Sequence, residues 1–224
     1  MKKILKITAD GSHTLYDPAI DDHYHSTYGA LAEADHVFAE NGFRWLVSEG
    51  VRHIRILETG FGTGLNALLS LIESQKCGIE VDYHTFELYP LEKEIYTKLN
   101  YGKKIDFQGA GLLLLKMHQA QWGKVVQIST GFRLKKIRAD WRFFNMEKDF
   151  FNLVYYDAFG PDLQPAMWKK EVLISIGECV VPGGILVTYS AKGQVRRDLM
   201  EAGFGVDRLP GPKGKRHMLR AVKK

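Results

Sequence analysis

The chain has 224 residues, 45% hydrophobic and 25% charged, with a formal net charge of +5. That balance excludes an intrinsically disordered chain, a disulfide-rich miniprotein and a collagen-like fibre, and the length allows one large domain a full core without staples. Cys77 and Cys179 belong to no CxxC or Cys/His cluster, which points to a reducing compartment and away from a metal site.

In chain order, the first fifty residues alternate turn signals with short helical stretches, and residues 31–43 read as a helix. Lys2, Lys3 and Lys6 interrupt the opening apolar run before a signal peptide forms. No stretch approaches the roughly 18 apolar residues of a spanning helix, so the expected location is the cytoplasm, with no membrane partner. Residues 53–59 alternate as a strand and stop at glycines, and residues 65–75 follow with helical spacing. A second strand is expected over 80–87, then helices over 90–99 and 111–122. Residues 125–129 and 132–137 flank Thr130-Gly131 as a hairpin. Residues 151–158 form an apolar run dense enough to be buried on both faces. A helix over 164–180, a strand over 184–190, a helix over 193–202 and a strand pair over 203–209 and 217–222 complete the pattern. Strands alternating with helices predict an α/β domain over 51–224, mostly parallel, with helices on both faces. The short link in the last strand pair predicts one antiparallel edge strand, and residues 1–50 form an N-terminal extension packing on the domain.

Charge is uneven along the chain. Between Lys192 and Lys224 ten Lys and Arg face three acids, a net of about +7, whereas residues 7–60 carry three Arg against nine acids. A basic surface attracts polyanions, of which nucleic acid is the commonest in cytoplasm; the same charge also serves as a solubilising surface.

The densest chemistry lies in Glu58-Thr-Gly60-Phe-Gly62-Thr-Gly64-Leu-Asn66, at a strand-to-helix turn. Glycines there let the backbone turn tightly and let a ligand approach the peptide units. A dinucleotide fingerprint would place Gly or Ala at position 65, where Leu65 stands, and no P-loop lysine is present. The next strand ends at Glu87, whose carboxylate suits a ribose diol. Loop and acid together point to an adenosine-containing ligand, S-adenosylmethionine. Asp140, in Arg138-Ala-Asp-Trp141, suits an adenine amino group or a plain turn. Asp157 ends the buried strand and is followed by Phe159 and Pro161; an unpaired acid at that depth is costly, which marks it as a candidate catalytic group.

Several segments then occur in order: Asp21-Asp-His-Tyr-His-Ser26, Gly29-Ala-Leu-Ala-Glu33, residues 58–66, Asp157-Ala-Phe-Gly-Pro161 with Pro165-Ala-Met-Trp168, Gly193-Gln-Val-Arg-Arg197, Ala202-Gly-Phe204 and Gly214-Lys-Arg-His-Met-Leu219. From about residue 10 onward the chain resembles the methyltransferase part of MnmC, or its stand-alone form MnmD. The resemblance implies a Rossmann-like class I S-adenosylmethionine-dependent methyltransferase fold with a seven-stranded sheet. It also implies methylation of the aminomethyl nitrogen of 5-aminomethyl(-2-thio)uridine at the tRNA wobble position. With no segment following residue 224, the expectation is methylation alone, without FAD or the carboxymethyl-removing oxidase, and with a separate enzyme supplying the aminomethyl group.

Under that resemblance Glu58, Gly60, Gly62, Gly64 and Asn66 would hold the methionyl end of the donor, Glu87 its ribose and Asp140 its adenine. Tyr24 and Ser26 would close over the donor or line the base pocket. Asp157 would orient the amine, Phe159 and Pro161 would meet the base, and Arg196, Arg197, Lys215 and Arg216 would meet anticodon-loop phosphates. Trp141 and Trp168 are expected in the core. The competing readings are a methyltransferase or aminopropyltransferase acting on a small-molecule amine, a nucleotide-binding module without catalysis, and, disfavoured by Leu65, a nicotinamide dehydrogenase.

Overall fold

The computed structural model describes residues 2–144 and 146–224. Eight strands form the main sheet: β4 (His53–Glu58), β5 (Glu80–Phe86), β6 (Val125–Ser129), β7 (Phe132–Ile137), β8 (Phe151–Tyr155), β9 (Val180–Thr188), β10 (Phe204–Pro210) and β11 (His217–Lys223). Their order across it is β10-β11-β9-β8-β4-β5-β7-β6. β7, β5, β4, β8 and β9 run parallel. The parallel α/β class expected from the strand–helix alternation is therefore present. The strand count is eight rather than seven, because the Thr130-Gly131 hairpin adds β6 antiparallel outside β7. The antiparallel member of the last pair is also not at the edge: β11 lies between β9 and β10 and is antiparallel to both.

Alternation along the central strands divides the core. Ile54, Ile56, Tyr83, Leu134, Leu153 and Tyr155 face one helical layer, while Leu57, Phe86, Val154, Tyr156 and Leu186 face the other. The first layer contains α3 (Leu65–Cys77), α6 (Ala110–Gln119) and a continuous helical segment over residues 30–48. That segment comprises α1 (Ala30–Ala34), ten wider-wound residues Asp35–Arg44, and α2 (Trp45–Ser48). Its Gly42 lies against the sheet, where an added Cβ would sit 3.1 Å from the Tyr155 ring. The second layer contains α7 (Lys170–Cys179) and α8 (Gly193–Glu201).

Three expectations need correction. Ahead of residue 30 the chain forms a small antiparallel sheet, β1 (Ile4–Ile7), β2 (His13–Asp17) and β3 (Asp22–His23), instead of short helices. The helix expected over 90–99 is reduced to single turns, α4 (Lys93–Tyr96) and α5 (Tyr101–Lys104). Between them the Asn100 side chain accepts the His13 N–H and donates to the Gly11 carbonyl, each at 2.9 Å, tying this stretch to the N-terminal sheet. The helix expected over 164–180 divides at extended Lys169 into a short turn, Pro165–Trp168, and α7. Trp168 there is buried, as expected, and donates from Nε1 to the Phe159 carbonyl. Among the described residues no helix is long and apolar enough to cross a membrane.

Candidate active site

Where the parallel strands end, the loops enclose a cavity of about 560 Å³, within the roughly 300–1,000 Å³ range of ligand pockets. Its position at the carboxyl ends of the strands follows from the topology, since the loops there splay away from the sheet. The segment after β3 contributes one wall through Tyr24, His25, Ser26 and Tyr28, and the segment after β10 contributes Gly214 and Lys215.

The glycine loop runs from β4 into α3. Gly62 takes a positive φ of 48°, and a Cβ there would lie 3.1 Å from the Tyr24 ring, so glycine is required both by conformation and by space. Its N–H donates to Glu87 Oε2 at 3.0 Å, and the Tyr89 N–H donates to Oε1 at 2.7 Å. Two backbone donors thus hold the Glu87 carboxylate at the rim with lone pairs to spare.

Asp157 lies two residues past the end of β8. Its backbone N–H donates to Thr59 Oγ1 at 3.1 Å, and Asn66 Nδ2 donates to its Oδ2 at 2.9 Å. Burial, reinforced by the Glu33 carboxylate, pushes its carboxyl up to about 7, against the opposing pull of the Asn66 hydrogen bond and the Lys215 charge. Glu33 itself is buried. It accepts the Ser26 N–H at 2.7 Å and pairs with Lys215 at 2.5 Å. The Lys215 ammonium also sits 3.7 Å from the Tyr189 ring centroid, and the Tyr189 hydroxyl donates to the Ala158 carbonyl at 2.8 Å.

Residues 115–224 match the S-adenosyl-L-methionine-dependent methyltransferase family. The tRNA 5-methylaminomethyl-2-thiouridine biosynthesis bifunctional protein MnmC of Cupriavidus necator is 34% identical over 216 residues, 91% of this chain and 32% of that protein. The protein of the same name from Ralstonia nicotianae is 31% identical over 223 residues, 92% and 32% of the two chains. The solved structure of MNMC2 from Aquifex aeolicus superposes with a TM-score of 0.82 at 26% identity, covering all of this chain and 71% of that one. The chain is similar to these MnmC proteins in sequence and to MNMC2 in structure. It has the class I S-adenosylmethionine-dependent methyltransferase fold and spans about a third of the length of the curated relatives it matches. Spermidine synthase from Thermotoga maritima, at a TM-score of 0.57 and 12% identity, shares the fold alone.

The cavity brings together Tyr24, Ser26, Gly60, Gly62, Asn66, Glu87, Asp140, Asp157, Phe159 and Lys215 among the residues singled out in the sequence. Glu58 does not reach the cavity surface. It is buried at the end of β4, where the Thr85 hydroxyl donates to it at 2.7 Å, and burial with the nearby Asp157 charge pushes it up to about 8. Gly64 likewise lies behind the wall, where its φ of 74° starts α3. Asp140 lines the cavity with its carboxylate committed to Arg142, which holds it below the usual carboxylate range. Lys215, expected at tRNA phosphates, is instead turned inward to Glu33. Pro161, Arg196, Arg197 and Arg216 lie outside the cavity walls, the three arginines exposed. Trp141, expected in the core, is buried and also shows a face to the cavity.

Sequence reasoning assigned no role to Thr59, Glu33, Tyr28 or Tyr189. Glu33 carried a readable signal: an acid at the inward position of a helix start whose neighbours Ala30 and Ala34 are core residues.

The cavity wall carries Asp17, Asp22, Glu33, Glu87, Asp140 and Asp157 against Arg142 and Lys215, so it is acidic overall. An acidic, partly dry pocket favours cations. Asn66 Oδ1 is buried without a partner among the described residues. Glu87 at the rim, the glycine turn and the acidic surplus fit a donor that carries a ribose diol and a positively charged centre.

Proposed function

We propose that this MnmC-like chain methylates the aminomethyl nitrogen of 5-aminomethyl-2-thiouridine, or of 5-aminomethyluridine, at the wobble position of tRNA. The product is the 5-methylaminomethyl nucleoside, the donor is S-adenosylmethionine, and the reaction belongs in the cytoplasm, where its tRNA substrate is. The observation carrying this reading is the carboxylate of Asp157, set among acids at the end of β8 in a cavity that also holds Glu87. Such a site attracts two cations together, a sulfonium and a primary ammonium. The names of the relatives supply the nucleoside.

When bound, S-adenosylmethionine supplies a methyl group on a positively charged sulfur, a leaving group that needs no protonation. Glu87 holds the ribose diol, and the glycine turn with Asn66 holds the methionyl end. Glu58 acts from behind the loop by fixing β4 to β5 through Thr85. Asp157 accepts a hydrogen bond from the target ammonium and takes its proton, which frees the nitrogen lone pair; a carboxyl near 7 is far better matched to that task than one near 4. Nitrogen then bonds to the methyl carbon as the carbon–sulfur bond breaks, its electron pair passing to sulfur. Most of the rate comes from holding nitrogen, carbon and sulfur in line. Phe159, whose ring meets Tyr24 edge-on at 5.3 Å between centroids, bounds the base pocket, with Pro161 beyond it. Residues 1–50 are part of this catalytic unit, because Tyr24 and Ser26 close the cavity. Arg196, Arg197 and Arg216 meet phosphates, and a wobble base is readily turned out of an anticodon loop. A separate enzyme supplies the aminomethyl group.

The test is incubation with labelled S-adenosylmethionine and tRNA bearing 5-aminomethyluridine, followed by digestion to nucleosides. Label in 5-methylaminomethyluridine supports the reading. Label absent from tRNA but present on a free polyamine would replace it with the small-molecule alternative.

A further inference from the structure

Two large aromatic side chains stand exposed on the wall of this cavity. Tyr28 is 54% and Tyr89 68% exposed, and both line the cavity. They come from separate parts of the fold, Tyr28 from the segment after β3 and Tyr89 from the loop after β5. Phe143 follows the cavity-lining Arg142 and is 84% exposed, with that guanidinium 5.3 Å from its ring. Tyr28 also has a rigid support. Gly214, with a φ of 88°, presents bare backbone to it, and a Cβ there would stand 2.4 Å from the Tyr28 ring. Gly214 is flanked by exposed Lys213 and, one residue beyond Lys215, exposed Arg216. The cavity is thus acidic within, while exposed rings stand at its edge, with Arg142 against Phe143 and exposed Lys213 and Arg216 on the segment that supports Tyr28.

That combination of rings and cations matches one kind of occupant. A single-stranded nucleic acid loop offers bases to stack on aromatic faces and phosphates to pair with neighbouring cations. We infer that Tyr28 and Tyr89 are stacking platforms for unpaired nucleotides flanking the target base, with Lys213 and Arg216 beside Tyr28 taking their phosphates. This rests on the tRNA reading above and adds to it how the loop is held open while one base enters. Tyr89 lies two residues from Glu87 and donates its backbone N–H to that carboxylate, so donor site and platform share one short loop.

The experiment uses the full chain and a fluorescent anticodon stem-loop RNA with uridine at the wobble position, read by anisotropy at fixed salt. Tyr28→Ala and Tyr89→Ala are each expected to weaken binding roughly fivefold to a hundredfold, and Tyr28→Phe and Tyr89→Phe to restore it, since the ring rather than the hydroxyl does the stacking. Calorimetry with S-adenosylhomocysteine and thermal melting accompany each variant. Wild-type protein that binds the donor product but not the stem-loop overturns the tRNA reading and this inference together. Tight stem-loop binding by wild type that the alanine variants retain overturns the platforms alone. Loss of S-adenosylhomocysteine affinity with unchanged RNA affinity reassigns the rings to the donor and overturns the inference, as does a wild-type dimer that the substitutions dissolve.

Discussion

Asp157 combines burial with a proton-accepting task, and both leave a pH signature. With its carboxyl held near 7, kcat/KM for methyl transfer should rise as pH climbs through about 7, where the carboxylate form takes over; a rise centred near 4 would remove Asp157 as the base. Asp157→Asn should lower kcat by roughly 10²–10⁴-fold while keeping S-adenosylhomocysteine affinity in calorimetry. The same group bears on stability with a definite sign. Its folded value lies above the ordinary 3.8, so the folded state binds the proton more tightly, and stability falls as pH rises from about 4 to about 7 and stays lowered above. Asp157→Asn should therefore exceed wild type in chemical-denaturation stability at pH 8, by roughly 1–3 kcal/mol, with the gap closing towards pH 4. Asp157 was legible in the sequence because a lone acid ending an apolar run is a local pattern. The pairing of Glu33 with Lys215 beside Tyr189 was not, since it depends on the folded chain joining residues 182 positions apart.

The glycine turn belongs to the scale of elements. Gly62→Ala places a side chain at φ 48° and against the Tyr24 ring, at a backbone cost of roughly 1–3 kcal/mol. S-adenosylhomocysteine affinity should fall about tenfold or more while far-UV circular dichroism stays unchanged, because the strain is confined to one turn. The turn was readable because a strand, three glycines and a helical repeat occur in one short window. The strands before residue 30 escaped for the opposite reason. β3 has two residues and β1 is mostly exposed, so neither shows a burial period; pairing and Asn100, far along the chain, hold them in place. The split helix over 164–180 escaped as well, since the Trp168-to-Phe159 bond that accompanies it cannot be read from spacing.

Across the whole molecule, charge and connectivity decide what can be tested. Arg196→Ala combined with Arg197→Ala should weaken tRNA binding and flatten the dependence of log K on log salt by roughly two units, one for each phosphate no longer neutralised; an unaltered slope would take α8 out of the interface. Lys215→Met leaves buried Glu33 without its cation. With Lys215 itself a third exposed, the loss should be about 1–2 kcal/mol, a fall in Tm of roughly 2–8 °C. Because Lys215 also holds Asp157 down, the same variant should shift the kcat/KM rise to higher pH. The parallel sheet was legible from alternating elements, but the order of its last strands was not, because hairpin spacing does not say which partner lies outermost. That order has a consequence for synthesis. Within the sheet β10 touches only β11, and β11 alone joins it to β9. On a translating ribosome β10 must therefore wait without a strand partner until the later-made β11 has cleared the exit tunnel, and Lys215 lies on the link between them. The pocket is closed once β11 is in place, so a nascent chain should gain donor affinity abruptly as that strand emerges, rather than by degrees.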